Sequence, residues 1–336
     1  MFLSIKKYIV LQEKVYYNCN DKKGKVFLCR GYFGDSGICV RRGEYVCLKI
    51  GVAAMIRLCA FADEAAKTLT EQVRIMKKNG IALLELRSID GINVLDMTLS
   101  QAEKYAEELT AANISVFSIG SPLGKADISV NFEDYKKSVV HIFGIAKIFG
   151  AKNVRVFSFF NAYDKADEVV ARLQYMADEG ARPGLNICHE NEKEVFGDTL
   201  ERVLYLKSRV RGLKLIYDPA NFIQCGESAK KTRLALQKDV YYYHIKDVSA
   251  ETGELVPAGY GDGEIEKLIA DIAGDKVLTL EPHLKVFDGY KNIDHTEMKN
   301  KMHYATNEEA FTAAAEALKK LLAKCGYLET EGGYIK

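Results

Sequence analysis

From Met55 onward, short apolar runs alternate with longer amphipathic stretches, and this alternation limits the folds open to the chain more than any other feature. The apolar runs are five to seven residues long, which is typical of buried strands, whereas the stretches between them repeat apolar residues at helical spacing. Eight strands are predicted, over residues 56–62, 82–87, 114–119, 153–159, 185–190, 213–218, 240–246 and 277–281.

Eight strand–helix repeats predict parallel strands that are joined by helical crossovers. Residues 55–326 are close in number to the roughly 250 residues of a (β/α)8 barrel. The alternative, a doubly wound sheet, usually carries a glycine-rich turn after its first strand, and "CAFADEAAKT" has no glycine there. The sequence therefore predicts an α/β fold, a (β/α)8 TIM barrel over residues 55–326, followed by a C-terminal tail at 327–336.

The first 54 residues have a different character. They hold ten Lys and Arg against four Asp and Glu, whereas the remainder holds 37 against 42. Short alternating pieces such as "GKVFLCRGYF" predict hairpin pairing. Two interpretations of this N-terminal extension stay open. It is either a small basic β-appendage or a mis-assigned or poorly ordered leader, because Met55 itself opens the first predicted strand.

Composition excludes several classes of protein. Lys and Arg total 47 against 46 Asp and Glu, so no overall field favours nucleic acid or an anionic membrane. No apolar run reaches the roughly 20 residues of a membrane helix, and charges interrupt the apolar stretch that a signal peptide needs. The eight cysteines include no CxxC pair, which favours reduced thiols over a zinc or disulfide framework. We therefore expect a cytoplasmic protein.

Two predicted helices carry clear end signals. In "SQAEKYAEELTAAN", Ser100 and Glu103 have the spacing of a capping box. The last predicted helix has Asn307 as its N-cap and Gly326 as its stop.

The last four predicted strands end in polar residues. The fifth ends at Glu190, the sixth at Asp218 and the eighth at Glu281, and the seventh carries His244 near its end. Side-chain alternation along a strand directs these residues into the barrel mouth, where (β/α)8 enzymes carry their chemistry. Bare carboxylates so placed would repel one another, and one divalent cation (Mn²⁺, Mg²⁺, Co²⁺ or Zn²⁺) suits the mixed donors. Four solvated strand ends are the alternative.

The motifs at these strand ends carry a resemblance to a known family. "ENE", "YDPANF", "HIKD" and "LEPH" resemble those of the xylose isomerase-like TIM barrels, in the AP endonuclease 2-type family of sugar phosphate isomerases and epimerases. The resemblance covers about residues 55–326. It implies one divalent metal ion held by Glu190, Asp218, His244 and Glu281, with Glu190 and Glu281 as catalytic acid and base. By analogy it also implies a homodimer or homotetramer.

The resemblance has one departure and one exclusion. Asn221 stands where the family commonly has His, and an amide can hydrogen-bond a hydroxyl but cannot act as a base. The DNA-repair branch of the family needs further His ligands from the third and fourth strands, and "ISVFSIGSP" and "NVRVFSFF" contain none. A nucleic-acid substrate is therefore not expected.

Five further residues are predicted to contact substrate at the barrel mouth. They are Asn221, Lys246, Arg87, Lys125 in "GSPLGK" and His283. Two of these predictions have a structural alternative: Lys125 as a solvated lysine of an ordinary turn, and Arg87 as half of a buried pair with Glu85. The stretch "VPAGYGDGEI" is predicted to be a flexible lid loop after the seventh strand.

These features predict a metal-dependent isomerase or epimerase that acts on a sugar or sugar phosphate. One glutamate would remove a proton beside a carbonyl and the other would return one, through an enediolate. Two alternatives remain: an inosose-type dehydratase on the same metal site, and a sugar-binding protein without turnover. Sequence alone does not choose the sugar, the metal or the oligomeric state.

Overall fold

The computed structural model describes residues 54–287, 298–300 and 302–336, together with five strands among the first 53 residues. Met1–Ala53 and Ala54–Lys336 are two separate compact units. In the first unit, three strands form an antiparallel sheet and two form a hairpin; they are Ile5–Leu11, Lys14–Asn20 and Val26–Gly31, then Gly37–Arg41 and Glu44–Leu48. Whether this unit belongs to the native protein stays a prediction.

Eight parallel strands of the second unit close a barrel. In chain order they are β1 (Met55–Ala60), β2 (Leu83–Leu86), β3 (Ser115–Ile119), β4 (Asn153–Val156), β5 (Asn186–Glu190), β6 (Lys214–Tyr217), β7 (Val240–Ile245) and β8 (Lys276–Leu280). Each strand pairs with the next, and β8 pairs with β1 from Ile56 to Ala60. The predicted (β/α)8 barrel is confirmed.

Helices connect the strands on the outside of the barrel. Those in the described part of the chain are α1 (Leu69–Lys78), α2 (Leu99–Ala111), α3 (Phe132–Ile148), α4 (Ala166–Ala181), α5 (Leu200–Arg209), α6 (Pro219–Gln224), α7 (Ala229–Leu236), α8 (Ile265–Ala270) and α9 (Asn307–Lys324).

Both helix N-caps predicted from the sequence were wrong by one or two residues. The capping box of α2 is Thr98 with Gln101, because each side chain accepts a hydrogen bond from the other residue's backbone N–H. Thr306 caps α9, while the neighbouring Asn307 donates its side-chain amide to backbone carbonyls. At α2 the pairs Thr98–Gln101 and Ser100–Glu103 have the same capping-box spacing, so sequence does not separate them. At α9 the pair Thr306–Glu309 has that spacing, whereas the residue three positions after Asn307 is an alanine.

The barrel interior changes from apolar to polar towards the carboxyl ends of its strands. Ile216 lies in a small interior cluster with Val277, while its neighbours Leu215 and Tyr217 belong to the outer core. Along β8, Val277 is therefore followed on the same inward side by Thr279 and, just past the strand, by Glu281. This gradient places polar side chains at the mouth above an apolar floor.

A C-terminal hairpin completes the unit. Leu328–Thr330 and Gly333–Ile335 form an antiparallel hairpin within the segment that was predicted to be a tail. Its second strand pairs with β1, where Tyr334 lies opposite Ile56 and Ile335 opposite Met55. The last residues of the chain are thus hydrogen-bonded to the first barrel strand.

No helix in the described residues is both long and apolar enough to cross a bilayer. Cys59, Cys188, Cys225 and Cys325 are free thiols, and the first two are buried in the barrel interior.

Candidate active site

The structure brings the four predicted metal ligands together. One oxygen from each of Glu190, Asp218 and Glu281 and one ring nitrogen of His244 lie within 4.8 Å of one another, and all four side chains are buried. Nδ1 of His244 is 2.9 Å from Oε1 of Glu190 and 3.1 Å from Oε2 of Glu281. We call these four residues the acidic quartet.

Local structure fixes the strand end that supplies Asp218. Its Oδ1 accepts a hydrogen bond from the Asn221 backbone N–H at 3.0 Å, so Asp218 is the N-cap of α6. Pro219 takes the first helical position, where no backbone donor is needed. Asn191 exchanges two hydrogen bonds with the Asp218 backbone, at 2.8 and 2.9 Å. Together these contacts leave Oδ2 facing the quartet.

The electrostatics of the quartet show that it carries more negative charge than its surroundings readily accept. Burial, with help from Glu190 and Glu281, raises the pKa of Asp218 to about 7. Burial alone would also raise the pKa of Glu281, but Lys246 and His244 outweigh it and hold that pKa well below its usual range. Burial lowers the pKa of His244, yet the surrounding glutamates reverse this and raise it.

The quartet fits a divalent cation. Oδ2 of Asp218 and Oε2 of Glu281 are buried and accept no hydrogen bond from the described part of the chain. Lys246 supplies the compensating charge instead, with Nζ 3.0 Å from Oδ2 of Asp218 and 3.9 Å from Oε2 of Glu281. Oxygen atoms of this kind beside an imidazole suit Mn²⁺, Mg²⁺, Co²⁺ or Zn²⁺.

A second cation, Arg155 on β4, touches both predicted catalytic glutamates. Its Nη1 lies 3.2 Å from Oε2 of Glu190 and 3.6 Å from Oε1 of Glu281. Its Nη2 donates to the Gly120 carbonyl at 3.1 Å. Sequence reasoning missed the place of Arg155 among the acids, although an inward Arg near a strand end was the available signal.

Arg87 lies in the site, but its partner is not the predicted one. Its guanidinium makes two hydrogen bonds to Asp63, at 2.8 and 3.0 Å, and Nη1 is 3.1 Å from Oε1 of Glu281. The rings of Phe61 and Phe287 lie 4.4 and 4.9 Å from its central carbon. The interpretation of a Glu85–Arg87 pair was wrong, because the turn after β1 supplies a closer carboxylate.

Next to Arg87, a second buried group contains Glu64, Glu281 and His283. His283 Nε2 is 3.3 Å from Oε1 of Glu64, and its backbone N–H donates to Oε2 of Glu64 at 2.8 Å. Burial raises the pKa of Glu64 to about 8. Sequence reasoning missed Asp63 and Glu64; their position directly after the first strand was the signal.

The remaining predicted contacts differ in how closely they approach the quartet. The Asn221 side-chain amide donates to the Asn191 carbonyl at 3.0 Å and lies 3.5 Å from Oε1 of Glu190, so it lines the site. Lys125 Nζ is 2.8 Å from Oε2 of Glu192 and lies over the Phe157 ring. Lys125 is therefore engaged by a carboxylate at the rim and is not the solvated lysine of an ordinary turn.

The segment that was predicted to be a flexible lid is tied to the end of β7. Asp247 accepts hydrogen bonds from the backbone N–H groups of Gly259, Gly261 and Gly263, at 2.8, 3.2 and 2.9 Å. An added Cβ at Gly261 would lie 2.4 Å from Oδ1 of Asp247. The glycines are needed because the backbone wraps closely around this carboxylate.

The fold and this site define a class of protein, and comparison with known proteins agrees. Residues 73–321 match the family model described as "Xylose isomerase-like TIM barrel". The chain therefore belongs to the xylose isomerase-like TIM barrel family. A search of curated proteins gave no match.

Solved structures with the same fold are distant in sequence. The IOLI protein, solved with a binding zinc atom, is 17% identical with a TM-score of 0.62, over 80% of this chain and 98% of its own. D-allulose 3-epimerase from Methylomonas sp. is 15% identical with a TM-score of 0.61, over 81% of this chain and 100% of its own. The probable 3-DHS dehydratase AsbF from Bacillus anthracis is 17% identical with a TM-score of 0.59, over 79% and 99%. At these identities the similarity shows the fold alone.

Proposed function

We propose that this protein is a divalent-metal-dependent isomerase or epimerase that acts on a sugar or sugar phosphate. The observation that carries the proposal is the convergence of Glu190 and Glu281 on one nitrogen of His244, at 2.9 and 3.1 Å. The two glutamates come from strands that β6 and β7 separate, so they reach the site from different sides. Such a pair supports proton removal from one face of a carbon and return from the other.

In this mechanism Glu190, Asp218, His244 and Glu281 hold the cation. The bound cation supplies polarisation of the substrate carbonyl and its adjacent hydroxyl. One glutamate takes the proton beside the carbonyl and the other donates one.

The neighbouring side chains orient the sugar and compensate charge. Asn221 offers a hydrogen bond to a hydroxyl, and its buried Oδ1 has no hydrogen-bond partner among the described residues. Lys246 and Arg87 lie beside Glu281. Their positive charges would stabilise the negative charge that develops on the substrate oxygens during proton transfer. Lys125 and His283 are proposed to contact substrate at the rim.

Substitution of Glu190 or Glu281 with Gln tests the acid–base role. Each variant should fold, because Gln keeps the volume, and should lower kcat by roughly a hundredfold or more. Glu192→Gln is the comparison variant. Glu192 lies two residues beyond the end of the same strand and pairs with Lys125 outside the quartet, so its loss should change KM rather than kcat. The readout is exchange of substrate hydrogen with solvent deuterium, screened over ketoses, inososes and their phosphates with several metals. Near-normal exchange in both quartet variants would refute the role.

An inosose-type dehydratase is the second candidate, since the probable 3-DHS dehydratase AsbF shares the fold over 79% of this chain. Such a dehydratase would also begin with proton removal beside a carbonyl and would then expel hydroxide. Product mass separates the two reactions, since a lyase product is lighter by one water. A protein that only binds sugar would give saturable binding without deuterium exchange in any metal form.

A further inference from the structure

Glu85, on β2, is a fully buried carboxylate below the acidic quartet. Its Oε1 accepts hydrogen bonds from the hydroxyls of Tyr242 and Ser118, at 2.8 and 3.2 Å. Its Oε2 accepts one from the hydroxyl of Thr279 at 3.0 Å and lies 3.1 Å from Nε2 of His244. Three hydroxyl donors and the His244 ring, which come from three other strands, thus fix the position of both oxygens.

This arrangement gives the two nitrogens of His244 different surroundings. Nε2 faces the carboxylate of Glu85, whereas Nδ1 faces Glu190 and Glu281. A carboxylate has no hydrogen to donate, so Glu85 can only accept a hydrogen bond from the ring. Nε2 of His244 must therefore carry a hydrogen. The lone pair available to a cation is therefore the one on Nδ1.

We propose that Glu85 is a positioning residue, which fixes the His244 ring and its tautomer so that Nδ1 is the metal ligand. This inference rests on the metal site of the proposed function. It adds that the hydroxyls of Ser118, Tyr242 and Thr279, which hydrogen-bond to Glu85, contribute to metal binding by orienting this carboxylate. A carboxylate behind a ligating imidazole raises its basicity and removes its rotational freedom. No substrate needs to be known for this role to be tested.

The direct test is the state of the His244 ring in the zinc-loaded protein. Protein labelled with ¹⁵N-histidine is loaded with Zn²⁺, and long-range ¹H–¹⁵N correlation spectra distinguish a protonated from a metal-bound ring nitrogen. The His244 signals are assigned by comparison with His244→Gln. The expected result is a metal-bound Nδ1 and a protonated Nε2. A metal-bound Nε2 would overturn the proposal.

The second test measures Mn²⁺ affinity by the EPR signal of free Mn²⁺ during titration. Glu85→Ala should weaken binding roughly ten- to hundredfold, as removal of such outer partners does. Glu85→Gln keeps an oxygen that can accept from Nε2–H, so it should recover most of the affinity. Thr232→Val is the matched control. It removes a buried hydroxyl that lies 2.9 Å from the Tyr217 hydroxyl, away from Glu85 and His244, and should bind Mn²⁺ within about threefold of wild type.

Thermal unfolding of the metal-free variants separates positioning from a structural role. If Mn²⁺ affinity falls in proportion to Tm across all three variants, Glu85 only supports the fold and the proposal fails. If Glu85→Ala does not fold, the ring-nitrogen spectra of the wild type still decide. Absence of any metal binding in the wild type would overturn the proposed function itself. Wild-type binding with unchanged affinity in Glu85→Ala would overturn this inference alone.

Discussion

Glu281 has the most crowded charge environment of the four quartet residues. Arg87, Arg155 and Lys246 all lie within 3.9 Å of its carboxylate, which also contacts His244. These cations stabilise the acids before any metal arrives, and they compete with the metal for the same oxygens. The carboxylates are thus neutralised by side-chain cations in the metal-free site and by the metal ion once it is bound.

Replacement of Arg155 with Met tests whether this side chain and the metal ion compete for the same carboxylates. The metal-free variant should lose roughly 3–5 kcal/mol of stability, because Glu190 and Glu281 lose a buried partner. A divalent metal should restore part of the loss, so the rise in Tm on adding Mn²⁺ should be larger in the variant than in the wild type. Differential scanning fluorimetry with and without metal checks this. An equal or smaller rise would contradict the competition.

At the scale of elements, the loop after β3 is held against the chain that follows β4. Gly124 has φ +87°, and an added Cβ there would lie 2.1 Å from the Phe157 carbonyl oxygen. The Phe159 backbone N–H donates to the Gly124 carbonyl at 2.8 Å. This contact carries Lys125 to the rim, where it pairs with Glu192.

Gly124→Ala should therefore destabilise the protein by more than the roughly 1–2 kcal/mol of left-handed backbone strain. The extra loss arises because the obstructing atom is backbone and cannot rotate away. Gly150→Ala is the control, since Gly150 also has positive φ, +67°, with nothing within 4 Å of an added Cβ. Urea unfolding of the two variants gives the comparison. Equal losses would show that strain alone matters at Gly124.

Elements were more predictable from sequence than the contacts between them. All eight strands were identified because parallel strands buried on both faces are continuous apolar runs, such as "LKLIYD" at β6. The quartet's convergence followed from strand alternation, since Glu190, Asp218 and Glu281 each end a strand. The partners of Arg87 and Glu85 did not follow from strand alternation. Asp63 lies in the turn after the neighbouring strand β1, whereas His244 reaches Glu85 across the barrel from β7.

At the scale of the whole molecule, charged contacts join the first and last barrel helices. Glu308 at the start of α9 accepts from Arg74 and Lys78 on α1, with N–O distances of 2.5 and 2.7 Å. These hydrogen bonds lower the pKa of Glu308 to about 2, from an ordinary value of 4.5. Folding is therefore coupled to the ionisation of Glu308, although exposed pairs of this kind contribute little individually.

The sign of this coupling gives a pH prediction for Glu308→Gln. Because the folded pKa is depressed, the stabilisation is fully present above pH 4.5 and is lost as the pH falls through about 2. The variant should be slightly less stable than wild type at pH 7, and the difference should narrow below pH 4.5. Glu316→Gln is the control, an exposed glutamate of the same helix without an ion pair among the described residues. Urea unfolding across pH checks it; a gap that stays constant down to acid pH would contradict the coupling.

The C-terminal hairpin has a practical consequence for protein engineering. Because Ile335 pairs with Met55, the two ends of the 54–336 unit lie side by side, about one strand spacing apart. A linker of a few residues could join them without disturbing β1, and new ends could be opened in an exposed turn such as the one at Gly184. A circularly permuted barrel built in this way should keep the acidic quartet intact, since all four residues lie far from the junction in the chain.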